Sequence, residues 1–418
     1  MYIYLSKNQI HDRMAGIRLA NYNLFFIHVI FGSVFIACLS ASTSQDACQQ
    51  DVNCFLPQCF CSKFNHPMNR SEIPQMVYFA FDDVVHVDVS KHYDYLFLKN
   101  NFTNPNGCPI SITLFVSDKY TNYSMLKKYH QLGFELGVHS VTHSKVNTGD
   151  KVRKEAEDQR NYLIRQAGVS KEDIIGWRSP FLITAGDQQI DALKQLGLQY
   201  DISLIYQRAK MDDDDLWPFT MDYGWPFECL NNRCPKQNHK GFWQVPVNAM
   251  IDYKHEGSCT FVDGCYNKPN NEDEAYKFIM DNFYSHYRGN KSPFGFNMHA
   301  SWFETVYLRD AMEKALRDIN QYDDVYIVNI KQMLEWMRYP TKLSDIKTFD
   351  GLGCWPYKKT TYQKLLWVIP LPFVVVLVCI LFVYAFRKIY RKIKNKNYVI
   401  LKDNGSIEKL VNGSEDFD

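Results

Sequence analysis

Between residues 75 and 338, short apolar runs alternate with stretches of helical period, and this alternation constrains the fold more than any other feature. VYFAFDD, ISITLFVS, FELGVH, DIIGWRSP, LQYDISL, PFGFNMH and VYIVNI read as strands. YSMLKKYHQLG, residues 151–167, residues 187–197, residues 272–287, LRDAMEKALRDI and KQMLEWMR read as helices. Asp187 is placed to cap the third of these helices and Gly197 to close it. Near-continuous apolar strands separated by helices specify an α/β fold, a parallel sheet or barrel covered on both faces. The stretch 205–270 breaks the alternation with Trp217, Trp225, Trp243, the run Asp212–Asp215 and four cysteines, and reads as an elaborated insertion.

Two longer apolar segments flank this region. Residues 24–39 follow Lys7, Arg13 and Arg18 and precede Ser40, Ala41 and Ser42, the pattern of a signal peptide over residues 1–42, with an uncleaved signal anchor as the rival. Residues 365–386 carry no charge and are long enough for a transmembrane helix. Six basic residues follow within 387–396, which puts the tail 387–418 in the cytosol. The expectation is a single-pass type I protein of the plasma membrane with its main domain, 75–354, outside the cell. Ten cysteines fall in the outside part, an even number in an oxidising compartment, so disulfides are expected, with Cys229–Cys234 and Cys259–Cys265 as local bridges. Residues 43–74 read as a Cys-rich lead-in. A net charge of +1 argues against nucleic acid as a partner.

The apolar strand QMVYFAFDD ends in two adjacent carboxylates. Burying an unpaired charge costs several kcal/mol, so a cation, a salt bridge or solvent must offset it. Other predicted strand ends supply partners. His139 and His143 lie in VHSVTH, Arg178 in WRSPF, Asp201 in YDIS and His299 in NMHASW. Each is weak alone. If 139–143 were a helical turn, both imidazoles would share a face. Five strand ends delivering carboxylate, imidazole and guanidinium groups point to a site where C-terminal strand ends converge. One carboxylate and two histidines suit a divalent cation with an open position, and Arg178 can neutralise the second carboxylate.

Taken in order, FDD (81–83), NPNGCP (104–109), HSVTH (139–143), RSPF (178–181), YDIS (200–203) and PFGFNMHASWF (293–303) resemble the polysaccharide deacetylase family, in its invertebrate chitin deacetylase-like branch. The resemblance implies a distorted (β/α) barrel with one metal site. It implies Asp83, His139 and His143 as ligands of one divalent cation, zinc first, with cobalt able to substitute. It implies Asp82 as general base, held by Arg178, and His299 as general acid, tuned by Asp201. The Phe181 N–H would donate to the oxyanion, and the substrate would be chitin or its oligosaccharides. Ala80, Val84, Phe181 and Ile202 depart from the family's usual choices but remove no ligand and no base. Two other functions stay open: an inactive glycan-binding or matrix-organising membrane protein, and an adhesion ectodomain using the fold as a scaffold.

Overall fold

The computed structural model describes residues 47–230, 232–354 and 381–391. The expected signal peptide lies outside these residues. Of the expected membrane span only 381–386 is described, within a helical stretch 381–391, and among the described residues no helix is long and apolar enough to cross a membrane.

The elements alternate as the apolar pattern predicts, with one further helix, Val87–Tyr93, and short strands inside 205–270 that the pattern does not show. They are β1 (Gln75–Asp83), α1 (Val87–Tyr93), β2 (Thr113–Val116), α2 (Tyr123–Gln131), β3 (Glu135–Val138), α3 (Gly149–Ala167), β4 (Gly176–Trp177), α4 (Asp187–Leu196) and β5 (Tyr200–Asp201). Then come β6 (Phe219–Thr220), β7 (Trp243–Gln244), α5 (Glu272–Arg288), β8 (Phe294–Met298), α6 (Val306–Ile319), β9 (Val325–Ile327) and α7 (Ile330–Arg338). The main sheet runs β8–β1–β2–β3–β4–β5–β7–β6, with β9 paired to the first residues of β1. Every pairing is parallel except β7 with β6. Among the described residues no ladder joins β6 back to β8, so the expected barrel is open.

Parallel pairing lines up the C-terminal strand ends. Phe81 sits opposite Met298, Asp82 opposite Phe115 and Val138 opposite Trp177. All of β1 up to Asp82 is buried, as a central strand covered on both faces must be. In α3, Val152, Ala156, Leu163 and Ala167 form the buried stripe. Thr148 caps that helix, and Gly168, at φ 70°, ends it. Asp187 does not cap α4. Gly186 takes that place, and the Asp187 carboxylate accepts from the N–H groups of Lys236 and Gln237 at 2.9 and 2.8 Å.

The non-periodic parts are held by covalent staples and by the sheet edge. Cys48–Cys61 and Cys54–Cys59 close the lead-in, and Cys108–Cys354 ties the end of the domain to the loop before β2. Cys229–Cys234 and Cys259–Cys265 form as their spacing suggests. Phe60, fully buried, accepts from the Thr220 N–H on β6 and donates its own N–H to the Thr220 hydroxyl.

Candidate metal and catalytic centre

Asp82 and Asp83 end β1, His139 follows β3, Arg178 follows β4 and His299 follows β8. The N–H groups of His139 and Arg178 continue the ladders, donating to Val116 O at 3.1 Å and Val138 O at 3.0 Å, so the sheet itself sets where these side chains start. His143 arrives differently. Residues 139–143 are not a helical turn; Ser140 and His143 adopt left-handed φ of 63° and 53°, which folds the second imidazole back toward the first. Asp83 is left-handed too, at φ 82°. Such conformations cost non-glycine residues on the order of 1–3 kcal/mol each and persist where surrounding contacts impose them.

Asp83, His139 and His143 each offer a ligand atom, and these atoms lie within 4.8 Å of one another. Oδ1 of Asp83 is 3.0 Å from Nε2 of His143 and 3.7 Å from Nε2 of His139. That oxygen is buried, yet no donor meets it in hydrogen-bond geometry. A buried carboxylate oxygen facing two ring nitrogens is the fit expected of a cation site. Nδ1 of His139 lies 3.0 Å from Arg178 O, so Nδ1 carries the proton and Nε2 presents its lone pair to the site. Burial lowers the His139 pKa against the pull of Asp82 and Asp83, which favours the neutral ring a ligand requires.

Asp82 belongs to a separate pair. Its Oδ1 accepts from Nη1 of Arg178 at 2.7 Å, and both side chains are buried, 3% and 0% exposed. Every nitrogen of the guanidinium has an acceptor. Nε donates to Ile202 O at 3.2 Å, Nη1 also reaches Ala80 O, and Nη2 donates to Asn297 Oδ1. Phe115 lies beneath it, with the guanidinium carbon 4.7 Å from the ring centre.

His299 faces the site from the other side, Nε2 3.7 Å from Asp83 Oδ2. Its partner is Asp263, not Asp201. Nδ1 is 2.8 Å from Asp263 Oδ2, and the His299 N–H donates to Asp263 Oδ1 at 3.1 Å. Phe261 stacks on the ring at 5.1 Å. Burial pushes the His299 pKa down, but the hydrogen bond and charge of Asp263, with Asp82 and Asp83, outweigh it and raise the value to about 9. Asp201 is turned away: its carboxylate accepts from Gln189 Nε2 at 2.6 Å and from the Ser203 hydroxyl. Ser203 in turn accepts from the Ser179 N–H at 2.8 Å, so Asp201 steadies the segment that carries Phe181. The Phe181 ring packs on His143, centroids 4.8 Å apart.

Asp263 and Asn297 are the site residues that sequence reasoning missed. The signals were faint: a carboxylate bracketed by Cys259 and Cys265, and an amide within an otherwise apolar strand two residues before His299.

No family model matches the chain. Chitin deacetylase 8 of Bombyx mori is 30% identical over 309 residues, 71% of this chain and 79% of the relative. Chitin deacetylase 1 of the same organism is 30% identical over 318 residues, 71% of this chain, and the match spans 58% of that longer relative. A chitin deacetylase structure from the fungal pathogen Colletotrichum lindemuthianum is 14% identical, covering 66% of this chain and 88% of that one, at a TM-score of 0.36, which leaves the fold to be read from the strand order above.

Proposed function

That this chain belongs to the polysaccharide deacetylase family, in its chitin deacetylase-like branch, is the premise from which we propose that it hydrolyses the N-acetyl groups of chitin or related N-acetylglucosamine polymers. Water and the acetamide give acetate and a free amine on the polymer. One observation carries this reading: two carboxylate–cation pairs, Asp82–Arg178 and Asp263–His299, face each other across the triad Asp83, His139 and His143.

The triad fits a divalent cation. Two imidazoles and a carboxylate favour zinc, with cobalt as a substitute, and such an ion supplies Lewis acidity toward water and the acetamide carbonyl. The protein's side chains do the rest. Asp82, held by Arg178, takes the proton of the attacking water. The Phe181 N–H donates to the oxygen on which negative charge develops. His299, charged near neutral pH and held by Asp263, gives its Nε2 proton to the departing amine. Arg178 and Asp263 touch no reacting atom; they aim the base and the acid.

We place the activity at the cell surface. The apolar segments 24–39 and 365–386 support that placement, and so does the pairing of all ten cysteines outside them. The test is acetate release from chitin oligomers by the full chain before and after a chelator, with zinc then restored. Loss on chelation and recovery with zinc are expected. Release indifferent to chelation would overturn the metal-dependent reading, and no release with zinc present would transfer the chain to the inactive glycan-binding class.

A further inference from the structure

The motif Asn-x-Ser/Thr, with x other than proline, occurs four times in the part expected outside the cell, at Asn69, Asn101, Asn122 and Asn290. The structure treats the four differently. Asn69, Asn101 and Asn122 are exposed, and so are Ser71, Thr103 and Ser124, the hydroxyl residues of their motifs. Asn122 caps α2, and the cap uses only its oxygen: Oδ1 accepts from the N–H groups of Ser124 and Met125 at 3.0 and 3.2 Å. Its Nδ2 meets no acceptor among the described residues, so a substituent on that nitrogen leaves the cap intact.

Asn290 is the reverse. It is half-buried, and Lys291 and Ser292 beside it are 6% and 0% exposed. Its Nδ2 donates twice, to Phe64 O and to Asp215 O, at 2.6 Å each, and its Oδ1 accepts from the Ser292 N–H at 3.1 Å. Lys291 Nζ donates to Asp324 Oδ2 at 2.7 Å, and Ser292 Oγ lies 3.2 Å from Nδ1 of His286. This one amide therefore ties the lead-in, at Phe64, to the insertion, at Asp215. Asp215 is itself buried and paired with Arg208, Oδ1 3.2 Å from Nε.

Resting on the placement at the cell surface above, we propose that Asn69, Asn101 and Asn122 carry N-linked oligosaccharides, and that Asn290 stays bare because its amide is a clamp on which the fold depends. The donor is an oligosaccharide carried on a lipid diphosphate. A bond forms between Nδ2 and C1 of the first sugar, the bond from C1 to the diphosphate oxygen breaks, and the proton lost from Nδ2 leaves with the lipid diphosphate. At Asn290 the same substitution leaves one N–H for two carbonyls and sets a bulky polar group between them. A chain modified there cannot close this corner, so the protein that folds is the protein left bare at Asn290.

The test uses the full chain made in a eukaryotic secretory host. Each motif is mapped by mass after treatment with an N-glycosidase, which turns every asparagine that bore a sugar into aspartate. Cysteine alkylation without reductant is measured on the same sample. Conversion at Asn69, Asn101 and Asn122, with Asn290 unconverted, is expected. Ser71→Ala, Thr103→Ala and Ser124→Ala should each delete one glycan-sized step in mass while keeping the asparagine. Asn290→Asp, which sets a carboxylate against both carbonyls, should unfold several degrees below the wild type with its glycan mass unchanged. Sugar on Asn290 of folded protein, or an Asn290→Asp midpoint equal to that of the wild type, overturns the clamp. Bare Asn69, Asn101 and Asn122 with the cysteines of 43–354 paired overturns the proposal and leaves the placement outside the cell standing. Bare asparagines with those cysteines alkylated overturn both.

Discussion

Asp82 with Arg178 and Asp263 with His299 face each other across Asp83, and they are built from opposite materials. The first pair sits on the ends of β1 and β4, is almost fully buried, and uses every nitrogen of the guanidinium. The second hangs between a strand end and a stapled loop and is open to solvent, 35% and 23% exposed. In the proposed reaction a base must be fixed where it takes the proton of the attacking water. An acid must meet a leaving group on a bulky polymer, and needs an open side. The two pairs therefore differ in how much of the fold depends on each.

The largest effect is expected on the dry side. Arg178→Met strands Asp82 and Asn297 in the core, and unfolding in denaturant should show a loss of about 3–5 kcal/mol. A loss under about 1 kcal/mol, the range of an exposed pair, would break the contrast.

Next comes a pH effect in the same dry region. Burial raises the Asp201 pKa to about 6, with Ser203, Gln189 and Arg178 pulling it back. A carboxyl raised on folding contributes its stability fully below its unfolded pKa and loses it as pH rises through the folded one. Two units at ~1.4 kcal/mol each give about 3 kcal/mol between pH 4 and pH 7. Stability of the wild type relative to Asp201→Asn should fall by that amount across the window, and a difference that does not move with pH would show that the carboxyl is solvated.

The smallest effect on the fold is expected on the wet side. Asp263→Ala should leave stability within about 1 kcal/mol, because the pair is partly open to solvent. It should still lower kcat by about 10- to 100-fold, part of what a positioned acid contributes. Equal kcat in the two proteins would remove Asp263 from the account. Loss of folding in that variant would erase the difference between the two pairs.

The same contrast explains what was legible in the sequence. Most strands and helices of the alternating part announce themselves by period, and the strand ends bring Asp82, Asp83, His139, Arg178 and His299 to one place. The insertion has no period to read. Its strands are two residues long, and Asp263 finds His299 across 36 positions through a disulfide loop. The family resemblance pairs Asp201 with His299, but Gln189 and Ser203 take up its carboxylate. The His139–His143 spacing suggested a helical face, whereas left-handed backbone at Ser140 and His143 does the same work in a loop. Local period sees none of these three cases, because tertiary hydrogen bonds decide each one.

The central claim is that Asp82 is the base beside a cation held by Asp83, His139 and His143. Its most direct test is acetate release from chitin hexamer by Asp82→Asn beside the wild type, with the metal content of both preparations measured. Asparagine keeps the shape and removes the proton acceptor. The account predicts equal metal content and a rate lower by about 10²- to 10⁴-fold, the usual share of a general base. Equal metal content with an equal rate would contradict it.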